Sequence, residues 1–134
     1  MSFTIESKKQ EVGKKDNRIF SFLSNFNHFQ HLLPDDKIEN WRCTDNECWF
    51  TLKGWTEMNL LIKTKKENNL IHFQSAPGSR FPVDLLLYIN SIGEKSICQV
   101  VLTVQLSAAL KMLAKKPLEN FANSLVEKID SNTF

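Results

Sequence analysis

The last quarter of the chain constrains its architecture most: Leu110, Leu113, Ala114, Pro117, Leu118, Phe121, Ala122, Leu125, Val126 and Ile129 recur at helical spacing behind an unbroken series of strand patterns. This periodicity predicts one helix over about 108–130, roughly 35 Å long at 1.5 Å per residue. Lys111, Lys115, Lys116, Glu119, Asn120, Asn123, Glu127 and Lys128 form its wet side. One long helix after so many strands must cover one broad sheet, and where it cannot fill the space that a curved sheet encloses, an apolar pocket results. Pro117 lies inside the helix, lacks an amide donor and crowds the carbonyl of Leu113, so a kink is expected there.

The strands are legible from alternation. Residues 2–12 read as a first strand with Phe3 and Ile5 on one face. Asp16 is placed to cap a short helix buried through Ile19, Phe20 and Leu23. Ser24 or Asn25 can start a second, carrying Phe26, Phe29, Leu32 and Leu33, which Pro34 prevents from continuing. Six strands then fill 38–107. A turn at Asp45-Asn46 sets Cys43 opposite Cys48, Trp41 opposite Phe50 and Arg42 opposite Trp49. A turn at Asn68-Asn69 sets Thr64 opposite Phe73, Lys66 opposite Ile71 and Lys65 opposite His72. A turn at Gly93-Glu94 pairs Ile89 with Cys98, Leu87 with Val100, Leu85 with Leu102 and Val83 with Val104. Every inward pair of that last hairpin is apolar, and a slip of one residue would exchange its faces.

At 134 residues, 42% apolar and 24% charged, the composition is that of one domain, 1–134, with one core. Ser2-Phe3-Thr4-Ile5-Glu6-Ser7 alternates instead of forming a secretory hydrophobic segment. No stretch approaches the roughly 18 apolar residues of a membrane span. A cytoplasmic protein without stable membrane insertion is expected, as a monomer or weak homodimer. A net charge of +2 implies no polyanion, and all basic residues but Arg18, Arg42 and Arg80 are lysine, which lacks the planar fork suited to phosphate. No nucleic-acid partner is expected. Cys43, Cys48 and Cys98 are odd in number and lack metal-ligand spacing, so neither a disulfide framework, a metal site nor a cofactor is expected. The pairing of Cys43 with Cys48 is compatible with a disulfide, which a reducing compartment would keep open.

The order of strand, two short helices, six antiparallel strands and long helix resembles the helix-grip superfamily, which includes START lipid-transfer domains, the major birch pollen allergen, polyketide cyclases and coenzyme-Q-binding proteins. Phe50-Thr51-Leu52-Lys53-Gly54, Phe81-Pro82-Val83-Asp84-Leu85-Leu86-Leu87-Tyr88-Ile89-Asn90 and Leu110-Lys111-Met112-Leu113-Ala114-Lys115-Lys116-Pro117-Leu118-Glu119-Asn120-Phe121 look most like small bacterial members of unassigned function. The resemblance implies an α+β fold, a curved antiparallel seven-stranded sheet wrapped around the C-terminal helix, with a hydrophobic pocket between them. The Gly-rich loop of the pollen-allergen branch is missing, replaced by the turn Lys66-Glu67-Asn68-Asn69.

Trp41, Phe50, Met58, Leu60, Ile71, Phe73, Leu85, Leu87, Val100, Leu102, Leu113, Pro117 and Phe121 are the candidate ligand-contacting residues. None of them ionises, so a guest would be a small hydrophobic molecule such as a lipid, isoprenoid or aromatic polyketide, held mainly by burial at about 25 cal/mol per Å². A buried Trp41 indole would additionally need an acceptor. No catalytic residue is assigned, because acid–base chemistry requires a titratable group at the reacting atom. His72 is out of phase with Ile71 and Phe73 and should face solvent, as should His28 and His31, while Arg80 and Phe81 stand where a polar head could be met. A cyclase or dehydratase using the same pocket is the alternative. A filled core with an outward patch of Trp49, Leu61, Leu86, Tyr88 and Val101 is a third reading.

Overall fold

Alternation of apolar and polar residues over ten positions on each side of Gly93 produces the longest hairpin of the molecule, β7 (Val83–Ile92) and β8 (Lys95–Gln105). Its register is the expected one, with Val83 opposite Val104, Leu85 opposite Leu102, Leu87 opposite Val100 and Ile89 opposite Cys98. Gly93 turns the chain at φ 65°, a conformation that costs glycine little. The inward residues of both strands are at most 2% exposed. The computed structural model describes residues 2–33 and 36–131.

Around this hairpin the sheet is antiparallel and unclosed, in the order β1, β8, β7, β6, β5, β4, β3. The remaining strands are β1 (Ser2–Glu6), β2 (Gln10–Val12), β3 (Ile38–Cys43), β4 (Glu47–Leu52), β5 (Glu57–Lys66) and β6 (Leu70–Ser75). The expected first strand is interrupted at residues 7–9, so β1 and β2 both pair with β8. At the break the Ser7 amide donates to the Val100 carbonyl (2.8 Å), and the Val100 amide donates to Ser7 Oγ (2.9 Å). The hydroxyl thus replaces a missing strand acceptor.

Two registers differ from expectation. Cys43 and Arg42 oppose Cys48 and Trp49 as read from the sequence, but a bulge between Glu39 and Arg42 shifts the outer half, with Asn40 at φ 58°. At the next turn Lys66 pairs with Leu70 and Lys65 with Ile71, so a three-residue loop, 67–69, replaces the two-residue turn. Asn68 takes up the positive φ of 59° there, as asparagine does more readily than most residues. A second bulge between Ile62 and Thr64 shifts the register once more, so that Thr64 stands opposite His72 and Ile62, in place of Thr64, opposite Phe73. Bulges bend a strand and strengthen its twist, and the sheet is curved.

Helices α1 (Asp16–Leu23) and α2 (Phe26–Phe29), followed by a 3-10 turn at Gln30–Leu32, close over this curve. Asp16 is not the cap but the first helical residue, accepting from the Asn17 amide (2.8 Å). Asn25 does cap α2, accepting from the Asn27 amide (2.8 Å). Pro34 lies outside the described residues. The final helix, α3 (Ala108–Ser131), packs chiefly on β8, β1 and β2. Asn123 Oδ1 accepts from the Lys8 amide (2.9 Å), and Lys14 Nζ donates to the Ile129 and Asp130 carbonyls (2.9 and 2.8 Å), fastening its C-terminal half to the loops around β2. No helix among the described residues is long and apolar enough to cross a membrane.

Candidate functional site

The concave face and the short helices meet in a cluster of aromatic rings. Phe26 and Phe29, one helical turn apart on α2, are fully buried and each lies 5.4 Å from Phe73 on β6. Trp41, at the bulge in β3, lies parallel to Phe29 at 6.4 Å and 5.7 Å from Phe50 on β4. Phe50 in turn stacks on Phe121 of α3 at 5.8 Å. Six rings therefore bridge α2, the sheet and α3. The helical spacing of Phe26 and Phe29 marks them in the sequence as core of a short helix, but it carries no sign that they join the site.

Of the candidate residues, Phe50, Leu60, Ile71, Phe73, Leu85, Leu87, Val100, Leu102 and Phe121 are at most 1% exposed, and Met58 is 6% exposed. Trp41 and Pro117 are half-buried. Leu113 does not join them: it is 68% exposed. At 100° per residue it stands about 140° from the centre of the stripe formed by Ala114, Leu118, Phe121, Ala122, Leu125, Val126 and Ile129, so it belongs to the wet side of the helix.

Two features interrupt the packing. The indole Nε1 of Trp41 is buried without a hydrogen-bond partner, a state that costs about 1–3 kcal/mol. Where β5 begins and residues 76–82 cross to β7, a cleft of about 430 Å³ opens. Met58, Leu60 and Val83 are its buried apolar residues, and Arg80, Phe81 and Glu57 stand at its edge. The Arg80 guanidinium lies 5.2 Å above the Phe81 ring, and Phe81 stacks on Trp55 at 5.3 Å. A lone aromatic in a turn, Trp55 gives no signal of this role in the sequence.

The interior holds little that titrates. Ser7 and Ser96 are the buried polar side chains among the described residues. Burial pushes the Cys98 thiol up to about 12, only partly opposed by Lys14, and burial raises the Cys48 thiol further. Both are poor nucleophiles as a result. Cys43, Cys48 and Cys98 are free thiols. His72 points to the outer face, with Nε2 2.7 Å from Asp84 Oδ1, which also accepts from Gln74 Nε2 (3.1 Å). His28 is exposed and stacks on Phe22 at 4.8 Å, while exposed His31 borders a groove beside Trp41. Trp49, Leu61, Leu86, Tyr88 and Val101 are half-buried on the outer face, with Arg42 5.4 Å above the Trp49 ring.

This architecture is a helix-grip fold of the START and polyketide-cyclase type. A START superfamily protein from Mycobacterium smegmatis superposes with a TM-score of 0.66 at 20% identity, over 97% of this chain and 99% of that one. Norcoclaurine synthase from Thalictrum flavum, solved in complex with dopamine and hydroxybenzaldehyde, superposes at 0.70 with 13% identity, over 100% of this chain and 90% of that one. A protein from Thermus thermophilus, TTHA0849, gives 0.72 at 15% identity, over 96% of this chain and 94% of that one. At these identities the likeness is one of fold, and some of these neighbours are enzymes. No protein-family model matches the sequence, and no curated protein matches it significantly.

Proposed function

We propose that the protein binds a small hydrophobic molecule carrying a polar head, without transforming it. The observation that carries this reading is the cleft of about 430 Å³, within the range of ligand sites, in which the expected contact residues Met58 and Leu60 meet a guanidinium at the edge. An apolar body lies against Trp49, Met58 and Phe81, and an oxygen-bearing head reaches Arg80. Trp41, Phe50, Ile71, Phe73, Leu85, Leu87, Val100, Leu102, Pro117 and Phe121 form the interior behind it.

The interior behind the cleft offers acid–base catalysis only thiols held away from their thiolate form, and the carboxylate of the cleft, Glu57, stands exposed to water at its edge. The test is fluorescence titration with anilinonaphthalene sulfonate, an aromatic anion. Thr56→Trp places an indole in the cleft, and Arg80→Gln removes the charge without touching the core. Arg80→Gln is expected to weaken the probe roughly tenfold, the scale of one charged hydrogen bond, and Thr56→Trp to weaken it by filling the space. Unchanged affinity in both folded variants would place binding elsewhere.

A further inference from the structure

The outward side of α3 changes character along its length. Its later turns present Asn120 and Glu127, which are exposed, as a wet face should. Its first turns present Ala109, Met112 and Leu113, and Met112 and Leu113 are 83% and 68% exposed. These two are the most exposed large apolar side chains among the described residues, and they are adjacent. Lys111, Lys115 and Lys116 surround them, and no acidic residue occurs between Gln105 and Leu118. Lys116 also shares a groove with Lys37 and Lys53 of the neighbouring loops, against the single carboxylate of Asp36. Lys111 Nζ lies 5.3 Å above the Phe3 ring, which holds that side chain at the edge of the patch.

We infer that the start of α3 is a docking surface for an anionic lipid bilayer, with Met112 and Leu113 entering the headgroup layer and the lysines meeting lipid phosphates and carboxylates. Two observations select a membrane over a second copy of the chain. A two-fold contact centred on Met112 and Leu113 would bring Lys111, Lys115 and Lys116 of both copies together, and like charges at close range repel. The patch is also a few side chains wide, whereas a stable dimer buries about 800 Å² on each partner. Interfacial attachment needs less: a few apolar side chains in the acyl boundary and lysines near an anionic surface. The attachment is peripheral and needs no spanning segment. It does not depend on the proposed ligand, because the patch lies outside the cleft residues.

The experiment is co-sedimentation of the full chain with vesicles of phosphatidylcholine alone and of phosphatidylcholine mixed with phosphatidylserine. Wild-type protein is expected on the mixed vesicles, released by added salt, and not on the neutral ones. Met112→Ser combined with Leu113→Ser should lower partitioning tenfold or more, by loss of roughly two buried side chains. Lys111→Gln, Lys115→Gln and Lys116→Gln together should lower it roughly a hundredfold. Lys65→Gln with Lys66→Gln, at the far end of β5, should leave it unchanged. All these positions are exposed or half-buried surface sites, and circular dichroism checks the fold. Failure of wild-type protein to sediment with the mixed vesicles overturns the inference. So does equal binding by the Met112/Leu113 variant, or concentration-dependent self-association in the absence of lipid that this variant abolishes, which would assign the patch to a second copy.

Discussion

Truncating Phe121 to alanine tests whether helix and sheet meet in dense contact. Phe121 is 1% exposed and stacks on Phe50 at 5.8 Å, and Phe50 lies 5.7 Å from Trp41, so the ring ends a column of three. Its neighbours Leu118 and Leu125 are fixed on the same helix and cannot fall into the space. Loss of the ring should therefore cost both transfer and cavity terms, about 3–5 kcal/mol, from a total of about 5–15 kcal/mol for a domain of this kind. At roughly 3–5 °C per kcal/mol for a chain of this length, the melting midpoint should fall by about 10–25 °C. Urea unfolding of the two proteins, with slopes compared, measures the difference directly. Benzene supplies a second reading: a dry cavity of this kind binds it, and the variant should regain about 2.7 kcal/mol at a hundredfold excess over its dissociation constant, more than wild type gains. A loss under about 1 kcal/mol, or equal stabilisation of both proteins by benzene, would refute dense packing and mean that open space already lies beside the ring.

Two further outcomes follow from other parts of the molecule. Ser7→Ala leaves the Val100 amide buried without its 2.9 Å acceptor and should cost about 1–3 kcal/mol, with faster hydrogen exchange at Val100; an unchanged urea midpoint would contradict the role assigned to the hydroxyl. Because burial raises the Cys48 and Cys98 thiols, iodoacetamide near neutral pH should label half-buried Cys43 first and the other two only after unfolding; peptide mass spectra showing early labelling of Cys98 would refute this.

Much of the site was legible because inward and outward positions alternate on strands that pack on one side. Leu85, Leu87, Val100 and Leu102 could be assigned to the concave face from their own hairpin, since a slip of one residue buries Asp84 and Asn90 instead. The turn at 67–69 resists such reading because Asn68 and Asn69 both suit positive φ, and a two- or three-residue loop differs only in which of them adopts it. The bulge at Asn40 left no comparable mark. Trp41 could be placed near Phe50, but not its lack of an acceptor, which depends on atoms from α2 and β4 arriving around it.

Local periodicity thus determined the element order, the long hairpin and the existence of one helical stripe, because side-chain direction repeats every two residues in a strand and every 3.6 in a helix. Only the tertiary structure decided which edge of that stripe is covered, leaving Leu113 in solvent. It also decided that six rings from separate segments fill the grip while a cleft opens beside Met58. Such outcomes depend on how far one surface extends over another and on how rings distant in sequence share a volume, and no repeat along the chain encodes either.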